Sequence, residues 1–247
     1  MTMIVGESNM KVVSVAVFED LPKQALRECT AIMIDALRAS STIITAISNG
    51  CDRIVPTAEA NEAAAIKKIS EGNVLLCGEI AAQKVGGFDL GNSPLEYTQE
   101  VVSEKIIIFS TTNGSVAIKG MAEAQDVLIG TFINAAAVAK KAYELDRDIM
   151  IVCAGTKGKF STDDIIAMGC IIDRLLKIDE SIEIDDMGRM ALKLYDDSKN
   201  DILTALEGSV HFEYLKQLKL YDDLEYCVRE DLFDVVPVYK EGVIIKG

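Results

Sequence analysis

The chain has 247 residues, is 49% hydrophobic and carries a formal net charge of −14. This length and composition support a large hydrophobic core, in one α/β domain or two smaller ones, and no apolar run approaches the roughly 20 residues that span a bilayer. The acidic charge argues against a nucleic-acid partner, because phosphate backbones are held by clustered lysine and arginine.

The single histidine and the six cysteines restrict the chemistry further. No two cysteines form a Cys-x-x-Cys pair, so we expect reduced, mostly buried thiols in a cytoplasmic protein. His211 lies in a polar C-terminal segment, where we expect it to be exposed. A two-histidine metal site is excluded, and a Ser/His/Asp triad would depend on His211.

Apolar runs alternate with helical patterns from residue 11 to residue 178. Residues 1–10 lack the charged and apolar regions of a signal peptide, and we predict a loose end there. The predicted strands are 12–18, 31–34, 53–55, 74–77, 106–109, 127–129 and 149–153. The predicted helices are 39–48, 59–70, 115–119, 135–145 and 162–177. Strands that are apolar throughout indicate a three-layer α/β fold, with a mainly parallel sheet and helices on both faces.

After residue 178 the sequence becomes more acidic and mainly helical. Residues 185–198, 200–206 and 210–218 show helical spacing, and residues 235–239 are predicted to return a strand to an edge of the sheet. No linker rich in proline, glycine or serine marks a boundary. We therefore predict a single domain over residues 1–247, with 179–247 as a mainly helical part.

Three loops, at residues 35–41, 110–115 and 153–161, each follow an apolar strand and precede a helix. Ligands of open parallel sheets bind beyond the carboxyl ends of the strands, so we expect these loops to converge on one site. The second loop leads into a helix N-terminus whose free N–H groups suit an anion. The third loop matches neither a P-loop nor a cysteine phosphatase loop. Ser161 at its end and Asp164 in the following helix show the spacing of a capping box.

Charged residues follow two of the predicted strands. Asp35 and Arg38 have two possible roles. In the structural one, Asp35 starts a helix and forms an ion pair with Arg38. In the functional one, Asp35 is a Mg²⁺ ligand and the Arg38 guanidinium binds an acidic group of the substrate. The long loop at residues 77–94 adds Glu79, a candidate second metal ligand, and Lys84, a candidate charge for an anion. The same loop carries three further polar candidates, Asp89, Asn92 and Ser93. Asn or Ser before Pro is also typical of a helix start.

Five motifs in this order give the chain a specific resemblance to a known family. They are residues 35–42 (DALRASST), 87–94 (GFDLGNSP), 111–114 (TTNG), 130–134 (GTFIN) and 153–156 (CAGT) with Phe160 and Ser161. Together they resemble the 2-phosphosulfolactate phosphatase family of coenzyme M biosynthesis. The resemblance implies a three-layer α/β fold and the Mg²⁺-dependent hydrolysis of (2R)-2-phospho-3-sulfolactate to 3-sulfolactate and phosphate. The family usually has arginine where this chain has Ile80.

We accordingly predict a phosphoric monoester hydrolase that acts on a small anionic phosphorylated substrate. In this prediction Asp35 and Glu79 hold Mg²⁺, and Arg38 and Lys84 bind the acidic groups of the substrate. The nucleophile is a metal-activated water, with covalent attack by Asp35 or Cys153 left open. The remaining predicted substrate-binding residues are Asp89, Asn92, Ser93, Thr111, Thr112, Asn113, Gly114, Asn134, Gly155, Thr156 and Ser161.

Two other functions fit the same residues. One is a phosphatase for a different phosphorylated hydroxy acid. The other is a non-catalytic relative that binds an anionic metabolite, with Ile80 as the sign of lost chemistry. No nucleic-acid or membrane partner is expected, and a homo-oligomer is left open.

Overall fold

The computed structural model describes residues 10–70 and 72–247, and within them one mixed sheet has eleven strands. The predicted loose end at residues 1–10 therefore lies almost wholly outside the described residues. The strands are β1 (Lys11–Val15), β2 (Thr30–Ile34), β3 (Arg53–Thr57), β4 (Val74–Ile80), β5 (Gln83–Lys84), β6 (Ile106–Ser110), β7 (Asp126–Ile129), β8 (Ile149–Cys153), β9 (Glu183–Ile184), β10 (Pro237–Lys240) and β11 (Val243–Lys246).

The helices lie between these strands and in the C-terminal part of the chain. They are α1 (Lys23–Leu26), α2 (Ala39–Ser48), α3 (Ala60–Ile69), α4 (Gln99–Val102), α5 (Gly114–Gly120), α6 (Ala135–Glu144), α7 (Thr162–Ile178), α8 (Asp186–Ser198), α9 (Ile202–Leu206), α10 (Val210–Gln217) and α11 (Tyr221–Cys227). Short 3₁₀ helices occur at Phe18–Asp20, Pro94–Glu96 and Phe132–Asn134. Across residues 10–70 and 72–247, no helix combines the length and apolarity that crossing a membrane requires.

The sheet consists of two parallel groups joined by an antiparallel hairpin. Its strand order is β5-β4-β6-β3-β11-β10-β7-β2-β8-β1-β9. The hairpin β10–β11 pairs antiparallel on both sides, with Val238 opposite Leu128 of β7 and Ile244 opposite Ile54 of β3. Because three antiparallel pairings separate β3 from β7, the group β4-β6-β3 runs opposite to the group containing β2 and β8. The mainly parallel α/β sheet is confirmed, but residues 235–239 were wrongly predicted to lie at an edge.

Side chains from the two faces of the sheet enter different cores. Ile32 and Ile34 of β2 pack in a core with α6 and α7, whereas Met33 enters a second core with α2 and α5. Ile107 of β6 also belongs to this second core. The two oppositely directed groups therefore share one core around α2 and α5, which brings the ends of β2, β4 and β6 together.

All of the predicted strands up to residue 153 are present; the strand at 149–153 and the helix at Ala39–Ser48 are placed correctly, and the boundaries of the other strands differ by at most three residues. The second hairpin strand, β11, was missed. Its turn is formed by Glu241 and Gly242, which both have positive φ, as a tight two-residue hairpin turn requires. The C-terminal part is thus helical through α11 and then ends in two central strands.

The hairpin should stabilise the whole sheet, and one substitution tests this. Ile244 is fully buried where β11 meets β3, whereas its neighbour Ile245 is partly exposed. We expect Ile244→Ala to lower the free energy of unfolding by about 2–5 kcal/mol, because it leaves a cavity in the shared core. The matched control Ile245→Ala should change it by about 0.5 kcal/mol. Urea denaturation measures both, and equal effects would contradict the placement of the hairpin.

Candidate active site

Asp35 lies at the centre of the site, directly after β2, and is 8% exposed. Its Oδ1 accepts a hydrogen bond from the Ala39 N–H at 3.2 Å, at the start of α2. A Cβ atom on Gly114 would lie 2.8 Å from Asp35 Oδ2, so only glycine allows α5 to approach this carboxylate. Burial raises the pKa of Asp35 to about 6, and the charges of Asp163 and Glu79 act in the same direction.

Asp164, near the start of α7, ties together the loops that follow β2 and β8. Its Oδ1 accepts the Ala36 N–H at 2.8 Å and its Oδ2 accepts the Gly155 N–H at 3.0 Å. Burial raises the pKa of Asp164 well above its usual value, with Asp163 and Asp35 adding to the effect. The predicted capping box is wrong, because the Ser161 side chain makes no capping hydrogen bond and the Asp164 carboxylate is engaged with the two loops.

Asp163 and His211 form a buried pair beside Asp35. Asp163 is 1% exposed, and neither of its carboxylate oxygens has a hydrogen-bond partner among the described residues. His211 Nδ1 lies 3.5 Å from Asp163 Oδ2, and the His211 side chain is only 17% exposed. The expectation of an exposed His211 was therefore wrong, because α10 packs against α7.

The surroundings of His211 favour its charged form. Burial lowers its pKa, but the attraction of Asp163, Asp35 and Asp164 outweighs burial and raises the pKa to about 9. His211 is therefore expected to be an imidazolium at neutral pH. Neither Asp163 nor His211 was among the predicted site residues, since residues 48 positions apart give no local signal of their contact.

Glu79, the second predicted metal ligand, is buried at the end of β4. Its Oε2 accepts the Ala82 N–H at 2.5 Å and its Oε1 accepts the Thr112 N–H at 2.8 Å. Glu79 thereby fixes the loop after β6, and its charge acts on Asp35. The two predicted metal ligands are thus both buried and close enough for the charge of Glu79 to act on Asp35.

Arg38 is held in a buried ion pair. Its Nη1 donates to Asp223 Oδ2 at 2.6 Å and its Nη2 donates to the Ala82 carbonyl at 2.8 Å. The Ser93 hydroxyl donates to the other oxygen of Asp223 at 2.5 Å. Arg38 therefore forms an ion pair with Asp223, a partner that the sequence did not reveal.

A cavity of about 260 Å³ lies beside this ion pair. It brings together four of the predicted site residues: Arg38, Lys84, Asn92 and Ser93. Asn92 Oδ1 is buried and has no hydrogen-bond partner among residues 10–70 and 72–247. The cavity therefore combines a fixed guanidinium and an exposed ammonium, which are groups that bind an anionic molecule, with the carboxylate of Glu96 and the Asn92 amide oxygen, which would accept hydrogen bonds from a donor.

Two predicted substrate-binding residues have their polar groups engaged by the protein. The Asp89 carboxylate accepts the Leu76 N–H at 2.8 Å and Lys67 Nζ at 2.5 Å. The Asn134 amide accepts the Thr131 N–H and donates to the carbonyls of Ile129 and Val235. These contacts give both residues a structural role.

The hydroxyls predicted to line the site pair with one another. Thr111 Oγ1 lies 3.1 Å from Ser115 Oγ and accepts the Ser115 N–H at 3.0 Å. Thr156 Oγ1 lies 3.0 Å from Ser161 Oγ, next to the Gly155 loop. Asn113 begins α5 without a side-chain capping hydrogen bond. Thr156 and Ser161 therefore lie in the segment that links the Gly155 loop to α7.

Cysteine chemistry is disfavoured at this site. All six cysteines are free and buried, as expected. Burial raises the pKa of Cys153 well above its usual value, and the charges of Asp164 and Asp163 add to the effect. A thiolate is the nucleophilic form of cysteine, so the structure argues against covalent attack by Cys153.

Comparison with known proteins places these features in a family. The profile of the 2-phosphosulpholactate phosphatase family matches residues 15–242. A relative from Clostridium kluyveri, named probable 2-phosphosulfolactate phosphatase, is 41% identical over 235 residues, which cover 95% of this chain and 97% of the relative. Proteins with the same name from Clostridium beijerinckii and Clostridium tetani are 40% and 42% identical, over 95% and 92% of this chain and 99% and 96% of their own lengths.

Removal of the Asp164 carboxylate tests whether it organises the site. We expect Asp164→Ala to cost about 1–3 kcal/mol for each N–H group left without an acceptor, at Ala36 and Gly155. The matched control is Asp197→Ala, since Asp197 forms an exposed pair with Lys193 on α8, and it should cost at most about 1 kcal/mol. Urea denaturation followed by circular dichroism compares the two, and a similar cost for both would contradict the role given to Asp164.

Proposed function

The chain belongs to the 2-phosphosulpholactate phosphatase family, and from that premise we propose that it hydrolyses 2-phosphosulfolactate to 3-sulfolactate and phosphate with the help of Mg²⁺. The observation that carries the proposal is a set of buried carboxylates together with a cavity lined by Arg38 and Lys84; Glu79 accepts the N–H of Ala82, which lines the same cavity. Carboxylates suit a divalent cation, and the cationic side chains suit a substrate with several negative charges.

The residues present fit a magnesium ion. No group of three or more His, Cys, Asp or Glu side chains in the described part of the chain is arranged to hold a metal. Proteins usually hold Mg²⁺ through one or two carboxylates, with water and substrate phosphate as the other ligands. Asp35 and Glu79 fit this pattern. Asp35 Oδ2 accepts no hydrogen bond from residues 10–70 or 72–247, and a cation would stabilise the carboxylate whose pKa is raised by burial and, to a smaller extent, by the charges of Asp163 and Glu79.

The chemistry supplied by Mg²⁺ would be neutralisation of the charge on the phosphoryl oxygens. The protein's own residues would orient the substrate, since phosphoryl transfer depends mainly on positioning and on electrostatic stabilisation. Arg38, fixed by Asp223, and Lys84 would bind the sulfonate and carboxylate. The loop at residues 111–114, fixed by Glu79, would orient the phosphate. Asp35 stays an alternative nucleophile to water.

A second candidate function rests on Ile80. This side chain is 61% exposed next to Glu79, at the position where the family usually has an arginine. One cation fewer at the site suits a substrate with one negative charge fewer, such as 2-phospholactate.

We place the hydrolysis of 2-phosphosulfolactate in coenzyme M biosynthesis in the cytoplasm. A substrate without a sulfonate would not require that pathway.

Release of phosphate by the purified protein tests the substrate and the metal together. We expect release from 2-phosphosulfolactate with Mg²⁺, its loss in EDTA, and its recovery when Mg²⁺ is restored in excess. The value of kcat/KM should be higher for 2-phosphosulfolactate than for 2-phospholactate, because Arg38 and Lys84 would pair with the sulfonate. Activity that survives EDTA would contradict the role of the metal, and a preference for 2-phospholactate would favour the second candidate.

A further inference from the structure

His211 and Asp163 are buried polar groups whose facing atoms lack hydrogen-bond partners. Asp163 Oδ1 and Oδ2 and His211 Nδ1 are unpaired within the part of the chain that the structure describes. Buried side-chain polar atoms are usually paired, and exceptions often serve a catalytic role or await a ligand. The 3.5 Å between Nδ1 and Oδ2 places the two groups in ion-pair range, a spacing that often tightens when substrate binds.

The charged groups around His211 are mainly acidic. On α7, Asp163 faces it, and the charges of Asp164 on the same helix and of Asp35 at the end of β2 also act on it. On α11 the nearby carboxylate of Asp223 is already neutralised by Arg38. These carboxylates stabilise the charged imidazolium form of His211. Asp163 contacts the ring only through Nδ1.

Hydrolysis of an alkyl phosphate creates a need that the metal ligands do not meet. The leaving group is the oxygen on C2 of the hydroxy acid, which departs as a strongly basic alkoxide unless it receives a proton. Arg38 cannot serve as the donor, because a guanidinium does not lose its proton in proteins. Histidine is the side chain that most often performs this transfer.

We propose that His211 is the proton donor to the leaving oxygen and that Asp163 is its positioning residue. This inference rests on the proposed phosphatase function. Water attacks phosphorus, the bond from phosphorus to the C2 oxygen breaks, and that oxygen keeps the electron pair and takes the proton from His211 Nε2. The products are 3-sulfolactate and inorganic phosphate. The proton lost by the attacking water passes to solvent, and solvent reprotonates the imidazole, so that charge and atoms balance.

The first test replaces His211 and follows kcat against pH. His211→Gln should lower kcat for 2-phosphosulfolactate by about 10²–10⁴-fold, with KM nearly unchanged, and it should lower the melting temperature because buried Asp163 loses the charge that faces it. Wild-type kcat should fall at basic pH, where His211 loses its proton, and this basic limb should be absent from His211→Gln. Lys216→Gln is the matched control, because it removes an exposed cation from the same helix and should keep both kcat and the limb.

The second test uses the fact that His211 is the single histidine. In protein without a histidine tag and with EDTA present, the imidazole ¹H–¹³C signals report the pKa of His211 alone. We expect the pKa to fall in Asp163→Asn, and the basic limb of kcat to move to lower pH with it.

The outcomes separate the two claims. A wild-type protein that releases no phosphate from 2-phosphosulfolactate would overturn the proposed function. A wild-type protein that is active, together with a His211→Gln variant that keeps kcat within about tenfold or keeps the basic limb, would overturn the role of His211 alone. An unchanged His211 pKa in Asp163→Asn would overturn the role of Asp163.

Discussion

The burial of several carboxylates at one place is the constraint on which the site depends. Asp35, Asp163 and Asp164 are all buried, and burial, together with the charges of neighbouring carboxylates, raises the pKa of Asp35 to about 6 and that of Asp164 well above its usual value. Each carboxylate needs compensation of a different kind. Asp164 receives two backbone N–H groups, Asp163 faces His211, and Asp35 keeps an oxygen free for a cation. We regard this division as the reason that a structural carboxylate can coexist with the proposed positioning and metal-binding carboxylates.

The sheet makes this arrangement possible through an unexpected route. The loop after β6 was predicted to meet the loops after β2 and β8 because parallel strands end at one edge, yet β6 belongs to the oppositely directed group. The central hairpin reverses the direction, and both groups then pack on α2 and α5. Gly114 reaches Asp35 through this shared core. The meeting of the loops was predicted correctly, and the reason given for it holds for the parallel neighbours β2 and β8 but not for β6.

The sequence was sufficient for the α/β class, for most strands and for the polar loops, because these depend on local periodicity and on motifs. The contacts of Asp163 with His211 and of Arg38 with Asp223 join residues that are 48 and 185 positions apart, and no local pattern encodes them. The Glu241–Gly242 turn did carry a readable hairpin signal. Asp164 was read as a capping residue because its spacing fits one, while tertiary contacts gave its carboxylate different partners.

Binding of a divalent cation tests the central claim most directly. Mn²⁺, used in place of Mg²⁺ with 3-sulfolactate present, is titrated into wild-type protein, Asp35→Asn and the surface control Asp52→Asn, and the free ion is followed by electron paramagnetic resonance. We predict one Mn²⁺ per chain in the wild type and in the control, and an affinity weaker by at least about tenfold in Asp35→Asn. Equal affinity in all three proteins would show that Asp35 does not hold the metal and would contradict the account.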